Sequence, residues 1–332
     1  MSREVLILRE PEIRKLLDPA ACVDAMERAF TAFSTGRTEL PSVIHLNVPE
    51  NQGEIHIKAG HLHGGPYYAV KIVSGFPGNS QLGLPANDGM VVVFDATTGA
   101  PAAFFLDNGY ITDLRTGAAG AVAAGHLARK KLGTVAVIGT GVQSRYQVEM
   151  LGLVRNFSEV RVWGRDPNKA WVCAEELGSR PGIPACNFAV SESAQRAVEG
   201  ADLVFTVTAS RAPLVHAEWL KAGTTVIAVG SDGPDKQELD VAALARADRV
   251  VADSVEQCLR LGEIHHAVHH GAIARDKAVE LGEITAGLKP GRMSDDEIIV
   301  CDLTGVGVQD VTAASLVMER AAAAGVGEKI PL

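Results

Sequence analysis

A chain of 332 residues with 47% hydrophobic and 21% charged residues is long enough for two domains, each with its own core. Its formal charge of −9, without a block of Lys or Arg, argues against a nucleic-acid or anionic-membrane partner, so an anionic substrate has to be gathered by local cations. No apolar run approaches the roughly 18 residues of a membrane span, and the start Met1-Ser2-Arg3-Glu4-Val5 lacks a signal peptide's apolar region, which predicts a cytoplasmic protein.

Asp18-Pro19 reads as an N-cap with Pro at the first helical position, and Val23, Met26, Phe30 and Phe33 follow at helical spacing until Gly36. One amphipathic helix therefore opens the chain. Short β-type runs then cover 43–48, 54–59, 67–74, 90–95 and 102–106, separated by Pro, Gly and Asn, as in an antiparallel sheet. Residues 111–130 are Ala-rich and helix-compatible, and Gly117, Gly120 and Gly125 suit close packing in a helix crossing to a second domain.

From Thr134 strands and helices alternate, with strands at 134–138, 160–163, 203–206, 225–229, 250–252 and 298–302, the signature of a parallel, doubly wound sheet. Residues 309–324 form a last Ala-rich helix that returns to the first domain. The expected division is 1–115 with 309–332 against 116–308, with the cleft between them as the natural ligand site. Cys22, Cys173, Cys186, Cys258 and Cys301 are odd in number and scattered, which fits reduced core thiols better than disulfides or a zinc site.

The stretch Thr134-Val135-Ala136-Val137-Ile138-Gly139-Thr140-Gly141-Val142-Gln143-Ser144 is an apolar strand that breaks into two glycines and a helix start. Gly139 permits the tight turn, Gly141 permits close backbone approach, and the helix from Val142 points its positive end at a pyrophosphate, the geometry of a dinucleotide site. Ser144 stands where a third small residue is usual. The next strand ends in Trp163-Gly164-Arg165-Asp166. A neutral residue followed by Arg165 suits the 2′-phosphate of NADP, so NADP is favoured over NAD, with Asp166 able to swing back toward a ribose.

Several residues carry candidate chemistry. Lys71 lies in an apolar strand and either reaches an anion or extends to water. Alternation puts His56 and Lys58 on one strand face and Ile55, Ile57 and Ala59 on the other. Arg115, at the start of the 111–130 helix, suits a two-bonded carboxylate or pairs with Asp113. Asp232 follows a strand end, where a carboxylate can face a nicotinamide and exchange a proton, or simply make a turn. His265, His266, His269 and His270 have metal-compatible spacing but no third ligand type beside them, so no metal is predicted.

Five ordered stretches together resemble the ornithine cyclodeaminase/mu-crystallin family over nearly the whole chain: Val70-Lys71-Ile72, Thr112-Asp113-Leu114-Arg115-Thr116-Gly117-Ala118-Ala119, Gly139-Thr140-Gly141-Val142-Gln143-Ser144, Val229-Gly230-Ser231-Asp232, and Asp302-Leu303-Thr304-Gly305-Val306-Gly307-Val308-Gln309-Asp310. The resemblance implies a Rossmann-type NAD(P)-binding domain, an α+β domain for substrate binding and homodimer formation, and reactions on amino acids or their imines. It implies that Lys71 and Arg115 hold the α-carboxylate, that Asp232 is the acid/base at nitrogen, and that Lys236 stands near the carboxylate. Thr116, Gly139, Gly141, Val142, Gln143, Ser144 and Gly230 would then contact the cofactor.

Two departures narrow the substrate. Leu40-Pro41-Ser42-Val43 lacks the Arg that often follows this Pro in the family, and His56 and Lys58 stand near where ornithine cyclodeaminases carry a Glu for the distal amine. A cationic wall disfavours ornithine or lysine. Lys58 and the 236–240 and 260–267 segments are more similar to the iminosuccinate reductase and ectoine-breakdown branch. The expected function is an NAD(P)H-dependent reductase of a small α-imino acid, with Lys58 or a His reading a second carboxylate. The alternatives are a cyclodeaminase that recycles NAD and a non-catalytic NADPH-dependent binder, against which the intact Asp232 argues.

Overall fold

The computed structural model describes residues 4–332, other than the Ser80 side chain, so the Met1–Arg3 portion of the leader reading lies outside the described residues. In chain order the first part comprises Glu4–Arg9 (β1), Glu10–Leu16 (α1), Pro19–Ser34 (α2), Thr38–Glu39 (β2), Ile44–Val48 (β3), Gly53–Leu62 (β4), Tyr67–Gly75 (β5), Asn87–Asp95 (β6), Pro101–Leu106 (β7) and Tyr110–Leu127 (α3). The middle runs through Thr134–Ile138 (β8), Val142–Val154 (α4), Glu159–Trp163 (β9), Pro167–Ser179 (α5), Asn187–Val190 (β10), Ala194–Val198 (α6), Leu203–Thr206 (β11), Arg211–Val215 (β12) and Thr225–Ala228 (β13). Gln237–Leu239 (β14), Val241–Arg246 (α7), Arg249–Ala252 (β15), Val255–Cys258 (α8), Gly262–His269 (α9), Ala278–Glu280 (β16), Leu281–Thr285 (α10), Ile299–Asp302 (β17), Gly307–Ala324 (α11) and Glu328–Pro331 (β18) complete it.

The chain divides into two compact units, residues 1–115 with 306–332 and residues 116–305. In the first, the sheet order is β18-β1-β7-β6-β5-β4-β2, with β3 also paired to β4; only β1 and β7 run parallel. The opening helix is thus preceded by a strand and a short helix that the sequence reading lacked. Asp18 does cap α2, accepting the Ala21 N–H at 2.9 Å. The helix α11 packs across β4 and β5 and against α2. It comes so close that a Cβ at Gly307 would stand 2.3 Å from the Ala59 carbonyl oxygen, which requires glycine there.

In the second unit an all-parallel sheet has the order β10-β9-β8-β11-β13-β17-β15-β16, and β12 and β14 form a separate parallel pair. This is the doubly wound α/β sheet expected, with two added edge strands, β10 and β16. Its central strands β11, β13, β15 and β17 are buried, Val204, Val226, Val250 and Val300 meeting the apolar faces of α6, α7 and α9. The strand order reverses between β8 and β11, so the open crevice lies at their carboxyl ends, beside Gly139.

Of the glycines assigned to packing in α3, Gly117 and Gly120 meet Tyr146 and Gln147 of α4, whereas a Cβ on Gly125 would meet nothing within 4 Å. All five cysteines are free. No helix among the described residues is long and apolar enough to cross a membrane.

Candidate functional site

Alternation along β4 and β5 turns Lys58 and Lys71 to the face that α11 covers, and the two lysines are direct register partners. Two like charges opposite each other in a sheet repel unless an anion stands between them. Asp310 of α11 supplies it. Its Oδ1 lies 3.0 Å from Lys71 Nζ and accepts Arg115 Nε–H at 3.1 Å, so two cations share one carboxylate oxygen. Arg115 Nη1 also donates to Gln309 Oε1 at 3.3 Å, and the same oxygen accepts the Val306 N–H at 2.9 Å.

Lys71 is only 1% exposed, so it does not extend to water, and Arg115 pairs with Asp310 rather than Asp113. Burial first, then the Arg115 charge, pull Lys71 down to about 7, while Asp310 acts in the opposite sense. Burial alone would raise Asp310, but the Lys71, Arg115 and Lys58 charges hold it below the usual carboxylate range. Asp107, at the end of β7, accepts the Ile111 N–H at 2.8 Å and is pushed up to about 6 by burial. The His56 ring stands edge-on to His45, 4.5 Å between centroids, and 3.8 Å from Glu54 Oε2.

The second unit carries the glycine turn. Gly139 has φ +128°, and a Cβ there would stand 2.8 Å from the Val207 carbonyl oxygen, so only glycine fits. Gly141 is the N-cap of α4, no side chain caps that helix, and the space around a Gly141 Cβ is open to 4 Å. An uncapped helix start with open space before it fits a dinucleotide's pyrophosphate. Val142 at the helix start is exposed, whereas Ser144 is fully buried, its Oγ donating to the Gly141 carbonyl at 2.5 Å. Ser144 thus fills the packing role of the third glycine. Thr116 contributes its carbonyl to Gln147 Nε2 at 3.1 Å, and Gln143 Oε1 accepts from the same nitrogen at 3.3 Å. A further cation missed in the sequence, Arg145, donates through Nη1 to the Thr140 and Gly141 carbonyls at 2.6 and 3.0 Å.

Arg165 is exposed beyond β9. Asp166 is the N-cap of α5, its Oδ1 accepting the Asn168 and Lys169 N–H groups.

Asp232 sits in the loop from β13 to β14. Its Oδ1 lies 2.8 Å from Lys236 Nζ, so Lys236 engages the acid itself. Gly230 packs against the loop after β11, where a Cβ would lie 2.0 Å from the Thr208 carbonyl oxygen. Behind the loop stand two buried carboxylates, Glu238 and Glu263, the latter bonded to backbone N–H groups rather than to one of the neighbouring histidines. Glu238 accepts from Thr208 and Gly230, and Glu263 accepts the Glu238 and Leu239 N–H groups at 2.8 and 3.0 Å. Burial pushes Glu238 up to about 7 and drives Glu263 well above the carboxylate range. Of the four clustered histidines, His266 reaches this loop, its Nε2–H donating to the Lys236 carbonyl at 2.9 Å. No group of three or more His, Cys, Asp or Glu that could hold a metal occurs among the described residues.

Comparison with known proteins matches residues 3–325 to the family model described as the ornithine cyclodeaminase/mu-crystallin family. The uncharacterized cyclodeaminase y4tK of Sinorhizobium fredii is 44% identical over 323 residues, 95% of each chain. The alanine dehydrogenase of Archaeoglobus fulgidus is 38% identical over 331 residues, 98% of each chain, and the iminosuccinate reductase of Paracoccus denitrificans 33% over 328, 99% and 100%. Among solved structures, the Δ1-pyrroline-2-carboxylate reductase of Thermococcus litoralis with NADH and L-proline has TM-score 0.92 and 34% identity, covering 98% of this chain and 100% of that one. An archaeal alanine dehydrogenase dimer with bound NAD has TM-score 0.91 and 37% identity, covering 99% and 100%.

Proposed function

The chain belongs to the ornithine cyclodeaminase/mu-crystallin family, and from that premise we propose that it is an NAD(P)H-dependent reductase of a small α-imino acid, running in reverse as an amino-acid dehydrogenase. The observation that carries the reading is the buried pair of cations, Lys71 and Arg115, on the single Asp310 oxygen. Burying that charge costs several kcal/mol per ion, on the order of what an arriving carboxylate would offset. The pair therefore has the chemistry to hold a substrate α-carboxylate. The relatives named dehydrogenase or reductase support an imine or amine at the reacting carbon.

The nicotinamide, when bound, supplies or accepts the hydride. The glycine turn with the uncapped start of α4, together with Thr116, Val142, Gln143 and Gly230, is the part of this chain we assign to it, and the exposed Arg165 supports NADP over NAD. Lys71 and Arg115 bind and orient the carboxylate. Asp232 gives the nitrogen its proton in reduction and takes it back in oxidation, and Lys236 keeps that carboxyl in place. We assign Lys58, the register partner of Lys71, to a second carboxylate, as in iminosuccinate.

The apolar row Ile44–Ile57–Ile72–Met90, four register partners across β3, β4, β5 and β6 with Ile44, Ile72 and Met90 exposed, supports a homodimer built through this sheet face. A cyclodeaminase that recycles NAD⁺ is the second reading, supported by the 44% relative of that name and opposed by the cationic His56–Lys58 strand.

Absorbance of NADH and NADPH, in parallel, with pyruvate, glyoxylate or oxaloacetate plus ammonia or methylamine, and with Δ1-pyrroline-2-carboxylate, tests the proposal. Oxidation with one of them supports it, and a preference for oxaloacetate supports Lys58. No oxidation, with ammonia released from a diamino acid at catalytic NAD⁺, puts the cyclodeaminase in its place. Exchanging Asp232 for Asn should lower turnover about 100-fold or more with cofactor affinity retained.

A further inference from the structure

The loop carrying Asp232 leaves β13 at Val229 and re-enters the fold at β14, and it is fastened at both ends, by its own Ser231 and by side chains beyond it. At its start, Glu238 Oε2 accepts the Gly230 N–H at 2.9 Å. The other oxygen of the same carboxylate accepts the Thr208 N–H at 2.6 Å and the Thr208 hydroxyl at 2.7 Å, from the loop after β11. At its end, the Lys236 carbonyl accepts from Ser231 Oγ at 2.5 Å and from His266 Nε2 at 2.9 Å. Glu238 is itself held, because Glu263 takes the Glu238 N–H, and Asp302 Oδ2 takes the Ile264 N–H at the start of α9.

Three donors converging on two oxygens need a carboxylate, since a carboxamide would turn one acceptor into a donor. Removing such a group from water is expensive, and the sequence has placed it where it ties two strand-end loops together rather than in either strand ladder. The fit is close: a Cβ on Gly230 would lie 2.6 Å from Glu238 Oε2 as well as 2.0 Å from the Thr208 carbonyl oxygen.

We propose that Glu238 is a positioning residue for proton transfer: its carboxylate locks Gly230 against Thr208 and thereby fixes where the Asp232 carboxyl stands. The inference rests on the reading of Asp232 as the acid/base. It assigns to Glu238 no contact with substrate or cofactor. Its effect passes through the loop, so it should vanish when Asp232 is no longer able to exchange a proton.

The test is a double-mutant cycle of Glu238→Ala and Asp232→Asn, with turnover measured on the member of the keto-acid and amine panel above that wild type reduces fastest, and with amide hydrogen exchange over 206–210 and 229–236. Glu238→Ala should speed exchange in both segments and lower kcat about 30- to 100-fold with KM within about threefold, the loss expected of a misplaced group. In the Asp232→Asn background the same change should cost less than about threefold. Glu238→Gln, which keeps the shape and part of the acceptor set, should lie between, about five- to tenfold below wild type; it carries the test if the Ala variant does not fold. Unchanged exchange, wild-type kcat in Glu238→Ala, or an undiminished loss in the Asp232→Asn background overturns the inference. An active Glu238→Ala beside an inactive Asp232→Asn overturns it alone, whereas a fully active Asp232→Asn overturns the acid/base reading and this inference through it.

Discussion

Replacing Lys71 by Met removes a charge that the fold holds at high cost, and the cost has a pH signature. Lys71 titrates near 7 in the folded protein against 10.5 for an ordinary lysine. At about 1.36 kcal/mol per pH unit, that gap of about 3.5 is on the order of 5 kcal/mol. Because the folded-state value is depressed, the full cost is present below pH 7 and is relieved as pH rises toward 10.5. It is on the order of 5 kcal/mol at pH 6 and about 2 kcal/mol at pH 9.

Met carries none of it, while the Asp310 carboxylate keeps Arg115 as its partner. Whatever pH-independent packing change accompanies the substitution, Lys71→Met should therefore be about 3 kcal/mol more favourable to stability at pH 6 than at pH 9. Denaturant titration followed by circular dichroism measures this. Circular dichroism reports on both units, whereas Trp163, Trp171 and Trp219 all lie in the one without Lys71. The same variant should lose about 30- to 100-fold in kcat/KM for a carboxylate substrate. A stability change equal at the two pH values, or more favourable at pH 9, would refute the reasoning.

Three further outcomes follow from single residues. Gly139→Ala forces a side chain into φ +128° against the Val207 carbonyl, so it should cost about 1–3 kcal/mol and weaken NADH binding, read by nicotinamide fluorescence, at least about tenfold; unchanged binding would separate the turn from the cofactor. Arg165→Ala should weaken NADPH about tenfold and NADH less than about twofold, and an equal effect on both would remove Arg165 from the 2′-phosphate. Ile72→Asp, in the middle of the exposed apolar row, should shift light-scattering mass from dimer to monomer; a dimer that persists at micromolar concentration would move the interface elsewhere.

Local chemistry determined much of this protein in advance. The glycine turn after Thr134–Ile138, the strand–helix alternation behind it and the Asp18 cap with Pro19 are written in residues a few positions apart, because φ preferences, capping and the 2.0 and 3.6 periods act over that range. Short edge strands such as β10 and β16, and the β1–α1 opening, escaped because three to seven residues carry too little periodicity. The site was legible as residue types and not as partnerships. Asp310 lies 195 residues from Arg115, and only the return of α11 across β4 and β5 brings it to Lys71. That contact decides between an anion and water for the Lys71 charge, a choice no strand-local pattern contains. Likewise the roles of Glu238 and Glu263 emerge only where the fold brings the strand-end loops around them and their buried carboxylates accept loop amides. Sequence fixes what each segment can be, whereas charge placement inside a core depends on which distant segment covers it, and that is set by packing.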